Sequence, residues 1–193
     1  MKSLCVFCGS SAGRDEAYVE TARQLGRLLA ERGITLVYGG GAIGLMGACA
    51  EACLAAGGKV VGIIPEHLMR MEVGSLDLTE LHVVKTMHER KAMMAELSDG
   101  FIVLPGGVGT MEEFFEVWTW GQLGIHRKPF GVLNVKGYYD ALFSFIATMV
   151  EQGFLKVQQA AMTQLSEDPE QLLEALAAYQ APTNPALLKL SET

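Results

Sequence analysis

Short apolar runs alternate along this chain with longer stretches of helical periodicity. The runs fall at residues 3–8, 34–38, 59–64, 81–85, 101–104 and 130–134. Between most of them, apolar side chains recur at three- and four-residue spacing, over roughly 15–32, 44–57, 87–97, 110–123 and 138–152. A last helix is predicted near 168–179, before a tail carrying Pro182 and Pro185. Alternation of strand and helix predicts a parallel sheet covered on both faces, and near-continuous runs such as KVVGII and FIVL fit strands buried on both sides. The expected fold is α/β: a single-domain, doubly wound parallel sheet over residues 1–180, with helices on both faces and a C-terminal tail at 181–193. Segment 138–152 is apolar on more than one face and is expected to be deeply buried or part of an interface.

In such a sheet, ligands bind at the carboxyl edge, where strands end and helices begin. Three glycine-bearing loops fall there: Cys8-Gly9-Ser10-Ser11, the run Gly39 to Gly47 that includes Gly40 and Gly41, and Pro105 to Thr110. Gly39 to Gly44 fits G-x-G-x-x-G, but the acid expected about 20 residues later is displaced to Glu66, beyond Pro65. A glycine turn approaching some nucleotide or phosphate fits better than a dinucleotide site, and tight packing alone is the remaining reading. The segment 105–113, PGGVGTMEE, is more specific. Gly106, Gly107 and Gly109 allow a bare turn, and the N–H groups opening the next helix favour an anion. No G-K-[ST] follows, so triphosphate-plus-magnesium chemistry is unsupported. Thr110 and Glu113 also match a capping box, which would make the glutamate structural.

Thr86 and Glu89 match a second capping box, so Arg90 and Lys91 fall in or just past a first helical turn. The helix dipole gives a cation no advantage there, so a bound anion is the expected compensation and a solvated surface arginine the alternative. A helix from Arg90 to Leu97 runs about 12 Å outward. A strand at 101–104 returns about 13 Å, which puts Arg90 at the same edge as the loop 105–113.

Composition narrows the function classes. A net charge of −7 excludes the broad basic face that nucleic acid or an anionic membrane requires. No apolar run approaches the roughly 18 residues of a membrane span, and the N-terminus has no secretory h-region, so a cytoplasmic location is expected. Cys5 and Cys8 form C-x-x-C in an extended run, where that spacing puts the side chains on opposite faces. With Cys49 and Cys53 they are expected as buried free thiols. The four histidines show no zinc spacing, so no metal ligand is assigned.

At these residues the sequence resembles the Lonely Guy (LOG) family of cytokinin riboside 5′-monophosphate phosphoribohydrolases. The matching motifs are P-G-G-x-G-T-x-x-E ending at Glu113, M-H-E-R-K at 87–91 and C-V-F-C-G-S-S at 5–11. Y-G-G-G-x-x-G-L-M-G at 38–47 and W-x-Q-L-G-I-H-x-K-P-x-G at 120–131 complete the match. The resemblance implies a Rossmann-like fold, a homodimer, and hydrolysis of a nucleoside 5′-monophosphate to free base and ribose 5-phosphate without metal or other cofactor. It implies Arg90 and Glu113 as the catalytic pair. Glu72, Lys91, Gly107, Val108, Gly109, Thr110, Met111, Glu112 and Thr119 are implied in the substrate site, with Gly106 in the phosphate loop. The MRMEVGS segment around Glu72 departs from the plant pattern, which leaves the preferred base open. A non-catalytic nucleotide or molybdenum-cofactor carrier is the alternative. The family's decarboxylase label would require a pyridoxal-phosphate lysine, for which Lys91 has no supporting context.

Overall fold

The computed structural model describes residues 1–72 and 77–182, apart from the side chains of residues 70–72. Its elements run β1 Ser3–Phe7, α1 Glu16–Glu31, β2 Thr35–Tyr38, α2 Gly44–Ala55, β3 Val60–Pro65, α3 Glu66–Glu72, β4 Glu80–Val84 and α4 Met87–Glu96. There follow β5 Phe101–Val103, α5 Val108–Leu123, β6 Phe130–Leu133, a 3₁₀ turn at Val135–Gly137, α6 Asp140–Glu151, α7 Val157–Ala160, β7 Thr163–Ser166 and α8 Pro169–Ala178.

The strands form one sheet in the order β4-β3-β2-β1-β5-β6-β7, and every pairing is parallel. The doubly wound architecture expected from the alternation is therefore present. Its seventh strand, β7, was not expected: TQLS has no apolar run, and as an edge strand it pairs only with β6 and stays partly exposed. The apolar runs marked the five inner strands, which are buried on both sides, and the opposite edge strand β4, whose ELHVV still carries Leu81, Val83 and Val84.

Side-chain alternation along β1 shows how the layers are built. Leu4, Val6 and Cys8 pack with α1, α2 and α8 on one face, whereas Cys5 and Phe7 pack with α4, α5 and α6 on the other. The C-x-x-C cysteines thus point to opposite faces, as their spacing predicts, and all four cysteines are free and buried. Burial pushes the Cys5 and Cys8 thiols well up, which keeps them protonated and unreactive. Helix α1 is capped by Asp15, whose carboxylate accepts from Ala17 N–H at 2.9 Å, and buries Leu25 and Leu29. It crosses α2 closely: a Cβ on Gly26 would come 2.2 Å from the Cys49 carbonyl oxygen.

Chain direction reverses across β1. Strands β2 to β4 step to one side, and the chain then returns through α4 to lay β5 on the other. The loops leaving β1 and β5 therefore diverge to opposite faces and open a crevice at the carboxyl edge. Helix α6 keeps Ile146 buried but leaves Phe145 exposed, so it is not wholly interior. No helix among the described residues is long and apolar enough to cross a membrane. Of the expected tail 181–193, only residues 181 and 182 lie among those described.

Candidate active site

The loop after β5 is drawn tight against the end of β1. Leu104 N–H donates to the Phe7 carbonyl at 2.9 Å, and Gly9 N–H donates to the Pro105 carbonyl at 3.0 Å. A Cβ on Gly106 would fall 2.9 Å from Gly9 N and 2.1 Å from Thr110 Oγ1, so only glycine permits this approach. Two neighbouring phenols hold the loop from outside. Tyr139 donates to the Leu104 carbonyl at 2.8 Å and Tyr138 to the Gly106 carbonyl at 2.7 Å. Loop carbonyls are thereby engaged by protein donors, and the N–H groups at the start of α5 are left for a ligand.

Helix α5 begins at Val108, with Gly107 as its N-cap and no side chain capping it. Its first N–H groups, from Val108, Gly109 and Thr110, have no acceptor within the helix. A Cβ at Gly107 or Gly109 would meet no protein atom within 4 Å, so the missing side chains keep room open rather than relieve packing. This start corrects the capping-box alternative. Thr110 is the third helical residue, buried beneath Gly106, and Glu113 lies in the second turn, out of capping range. The glutamate is not a helix cap.

Arg90 comes from α4, whose start is capped by Thr86 accepting from Glu89 N–H at 3.1 Å. The Glu89 carboxylate turns back to Lys85 N–H at 2.8 Å. The Arg90 guanidinium is buried across the ends of β2 and β3. Its Nε donates to the Ile63 carbonyl at 3.2 Å and its Nη2 to the Gly39 carbonyl at 2.8 Å, while Nη1 approaches Met87 Sδ at 3.8 Å. A Cβ on Gly39 would sit 1.9 Å from Nη2, so this glycine exists to admit the guanidinium. Arg90 and Glu113 line the same cavity, of about 320 Å³, with Cys8, Gly9, Ser10, Met46, Met87, Glu112 and the residues from Gly107 to Thr110. Burial raises the Glu113 carboxyl to about 7, against the opposing pull of Arg90. A carboxyl group poised near neutrality suits general acid or base work.

Lys91 behaves differently from its neighbour. One position further round α4, it is buried and donates to Glu112 and, at 3.0 Å, to Glu116, tying α4 to α5. Burial alone would lower its ammonium, but these two carboxylates outweigh that and hold it above the ordinary lysine value. Its counter-charge comes from the protein, not from a bound anion. Four other expected residues lie apart from the cavity wall. Met111, near the start of α5, packs against the core, and Thr119 is exposed about two turns further along that helix, donating to the Phe115 carbonyl at 2.7 Å. Gly40, at φ +77°, turns the chain over Ile63 and Ile64, and Gly41 is buried beside it. Glu72 closes α3, and its side chain lies outside the described residues.

Sequence reasoning missed Cys8, Met46 and Met87 in this cavity. It also missed a second lobe of about 280 Å³ that shares Gly9, Ser10 and Gly107 with the first and adds Ser11, Gly13, Tyr18 and Tyr138. The methionines stood within the quoted motifs, but a methionine in a helical pattern reads as core.

The chain is similar to known proteins in sequence and in fold. The sequence model described as "Possible lysine decarboxylase" matches residues 46–176. The chain is 48% identical over 179 residues to the Arabidopsis thaliana protein named cytokinin riboside 5′-monophosphate phosphoribohydrolase LOG7, covering 93% of this chain and 82% of that one. It is 49% identical over 178 residues to an Oryza sativa subsp. japonica protein named "Probable cytokinin riboside 5′-monophosphate phosphoribohydrolase LOGL6", covering 92% and 71%. Among solved structures, the molybdenum cofactor binding protein of Rippkaea orientalis superposes with a TM-score of 0.70 over 92% of this chain and 97% of that one. At 22% identity that likeness extends to the Rossmann-like fold alone.

Proposed function

Because this chain belongs to the LOG family of phosphoribohydrolases, we propose that it hydrolyses the N-glycosidic bond of adenine-type nucleoside 5′-monophosphates, releasing free base and ribose 5-phosphate. The observation that carries the reading is Glu113, a carboxylate raised to about 7, in one cavity with Arg90 and an uncapped helix start. The N–H groups of residues 108–110 take the 5′-phosphate, where the helix dipole favours its charge. Anchored there, the ribose turns its C1′ toward Glu113.

Breaking the C1′–N bond sends its electron pair to the base nitrogen and leaves oxocarbenium character on the sugar. The Glu113 carboxylate stabilises that charge and takes a proton from the water that adds to C1′. The proton then passes to the departing base, so atoms and charge balance. Arg90 is fixed by the Gly39 and Ile63 carbonyls and offsets the buried carboxylate's charge, and it orients the ligand. Positioning of this kind supplies several kcal/mol of barrier lowering, of an order consistent with the ~7–11 kcal/mol available to well-oriented reactions. Lys91, paired with Glu112 and Glu116, supports the wall from which Glu113 projects.

The protein acts, in this reading, as a cytoplasmic homodimer. Four free thiols fit a reducing compartment, and exposed Ile125, Phe145, Phe154 and Val157 are apolar surface that a partner copy would cover. A nucleotide carrier would need the phosphate loop but not an acid beside C1′. The test is incubation with AMP and with its N6-isopentenyl analogue, with chromatography of the free base. Release from at least one is expected; nucleotide binding without base release from either would refute the hydrolase reading.

A further inference from the structure

We propose that Met46 and Met87 are specificity-determining residues that form the two walls of the base subsite. This rests on the phosphoribohydrolase reading for its orientation, which fixes the order of groups along the sheet edge. The α5 start, residues 107–110, lies over β5. Gly107 lines both lobes of the crevice, so the phosphate sits between them. Glu113 and Arg90 line only the first lobe. For C1′ to reach Glu113, the ribose must turn into that lobe, and the base continues away from the phosphate, across β1 toward β2 and β3. Arg90 marks that end, because its guanidinium lies on the Gly39 and Ile63 carbonyls at the ends of those two strands.

Two thioethers stand there. Met46 enters from the first turn of α2, on one face of the sheet, and is almost wholly buried. Met87 enters from the first residue of α4, on the other face, with its Sδ 3.8 Å from Arg90 Nη1. Apart from Cys8, they are the large apolar side chains lining this lobe besides Val108, which lies at the phosphate end. A flat purine suits such walls: the thioether is apolar and polarizable, packs on aromatic rings, and has enough rotamers to accept a group added at N6. The walls thus select an aromatic base without reading its hydrogen-bonding edge, so unmodified and N6-substituted adenine are both admitted.

The experiment separates base contacts from phosphate and sugar contacts. In a Glu113→Gln background, which prevents turnover, AMP and ribose 5-phosphate are titrated by calorimetry against Met46→Ala, Met87→Ala and the two Met→Leu variants. Each alanine variant is expected to weaken AMP roughly tenfold while ribose 5-phosphate changes little, and leucine should restore most of the loss. Met87 is exposed enough that its alanine variant should keep the wild-type melting temperature, so it carries the test should Met46→Ala fold poorly. Parallel loss for both ligands, or unchanged AMP affinity, would overturn the assignment. So would selective loss of AMP in Tyr18→Ala, which would put the base in the second lobe. Absence of base release by the wild-type protein is read separately and bears on the hydrolase reading alone.

Discussion

Replacing Glu113 by glutamine keeps the side chain's shape and removes its ionisation, and the structure gives the size of the effect. Burial raises this carboxyl from 4.5 to about 7. The folded state therefore binds a proton more tightly than the unfolded chain, and stability falls as pH rises from about 4.5 through about 7. At ~1.36 kcal/mol per pH unit the full cost of the ionised carboxylate is about 3 kcal/mol, reduced to about 2 kcal/mol because the cavity is open to water. For a chain of this length each kcal/mol moves Tm by roughly 2–4 °C. Glu113→Gln should thus match wild type near pH 4.5, gain steadily above it, and melt roughly 4–8 °C higher at pH 8, while losing base release. Differential scanning calorimetry across that pH range checks the stability, and chromatography checks the activity. A variant that melts lower at every pH would mean that the carboxylate holds the structure together. A gain independent of pH would mean that it is not the buried, strained acid described here.

Gly39→Ala should fold but drive the Arg90 guanidinium off the Gly39 carbonyl, lowering kcat on the order of 10²-fold; circular dichroism with base release measures both. Gly107→Ala should leave Tm unchanged and raise KM for AMP, because its Cβ enters ligand space, whereas Gly106→Ala should lower Tm, because its Cβ collides with Thr110 and Gly9. Lys91→Met removes a positive charge that helps hold the Glu113 carboxyl down, so the acid limb of kcat against pH, expected near 7, should move to higher pH. An unmoved limb would show that another group governs it. Tyr138→Phe frees the Gly106 carbonyl and should cost about 1 kcal/mol in urea unfolding.

The inner sheet was legible in the sequence because its strands are buried on both faces, leaving runs such as 59–64 with little polar interruption. Edge strand β7 was not, since its TQLS carries no apolar run, whereas the opposite edge strand β4 still holds Leu81, Val83 and Val84. Arg90 could be placed at the ligand edge by helix and strand lengths alone. The divergence of its neighbour could not, because whether Lys91 meets a phosphate or two glutamates depends on how α4 turns against α5. The start of α5 was misplaced by two residues for a related reason. Thr110 has the chemistry of a cap, but Gly107, with no side chain, takes that position once β1 and β5 pull the loop close.

The pairing of Lys91 with Glu112 and Glu116 also shapes how a ligand arrives. It leaves Arg90 as the cation among the described residues lining the first lobe, itself half offset by Glu113, within a chain of net charge −7. With the phosphate placed as proposed, a dianion approaching this molecule is repelled at long range and attracted only within the last few ångströms, by backbone N–H dipoles. Encounter is then slower than for a neutral surface, and added salt, which screens beyond about 10 Å, speeds association while barely loosening the bound state.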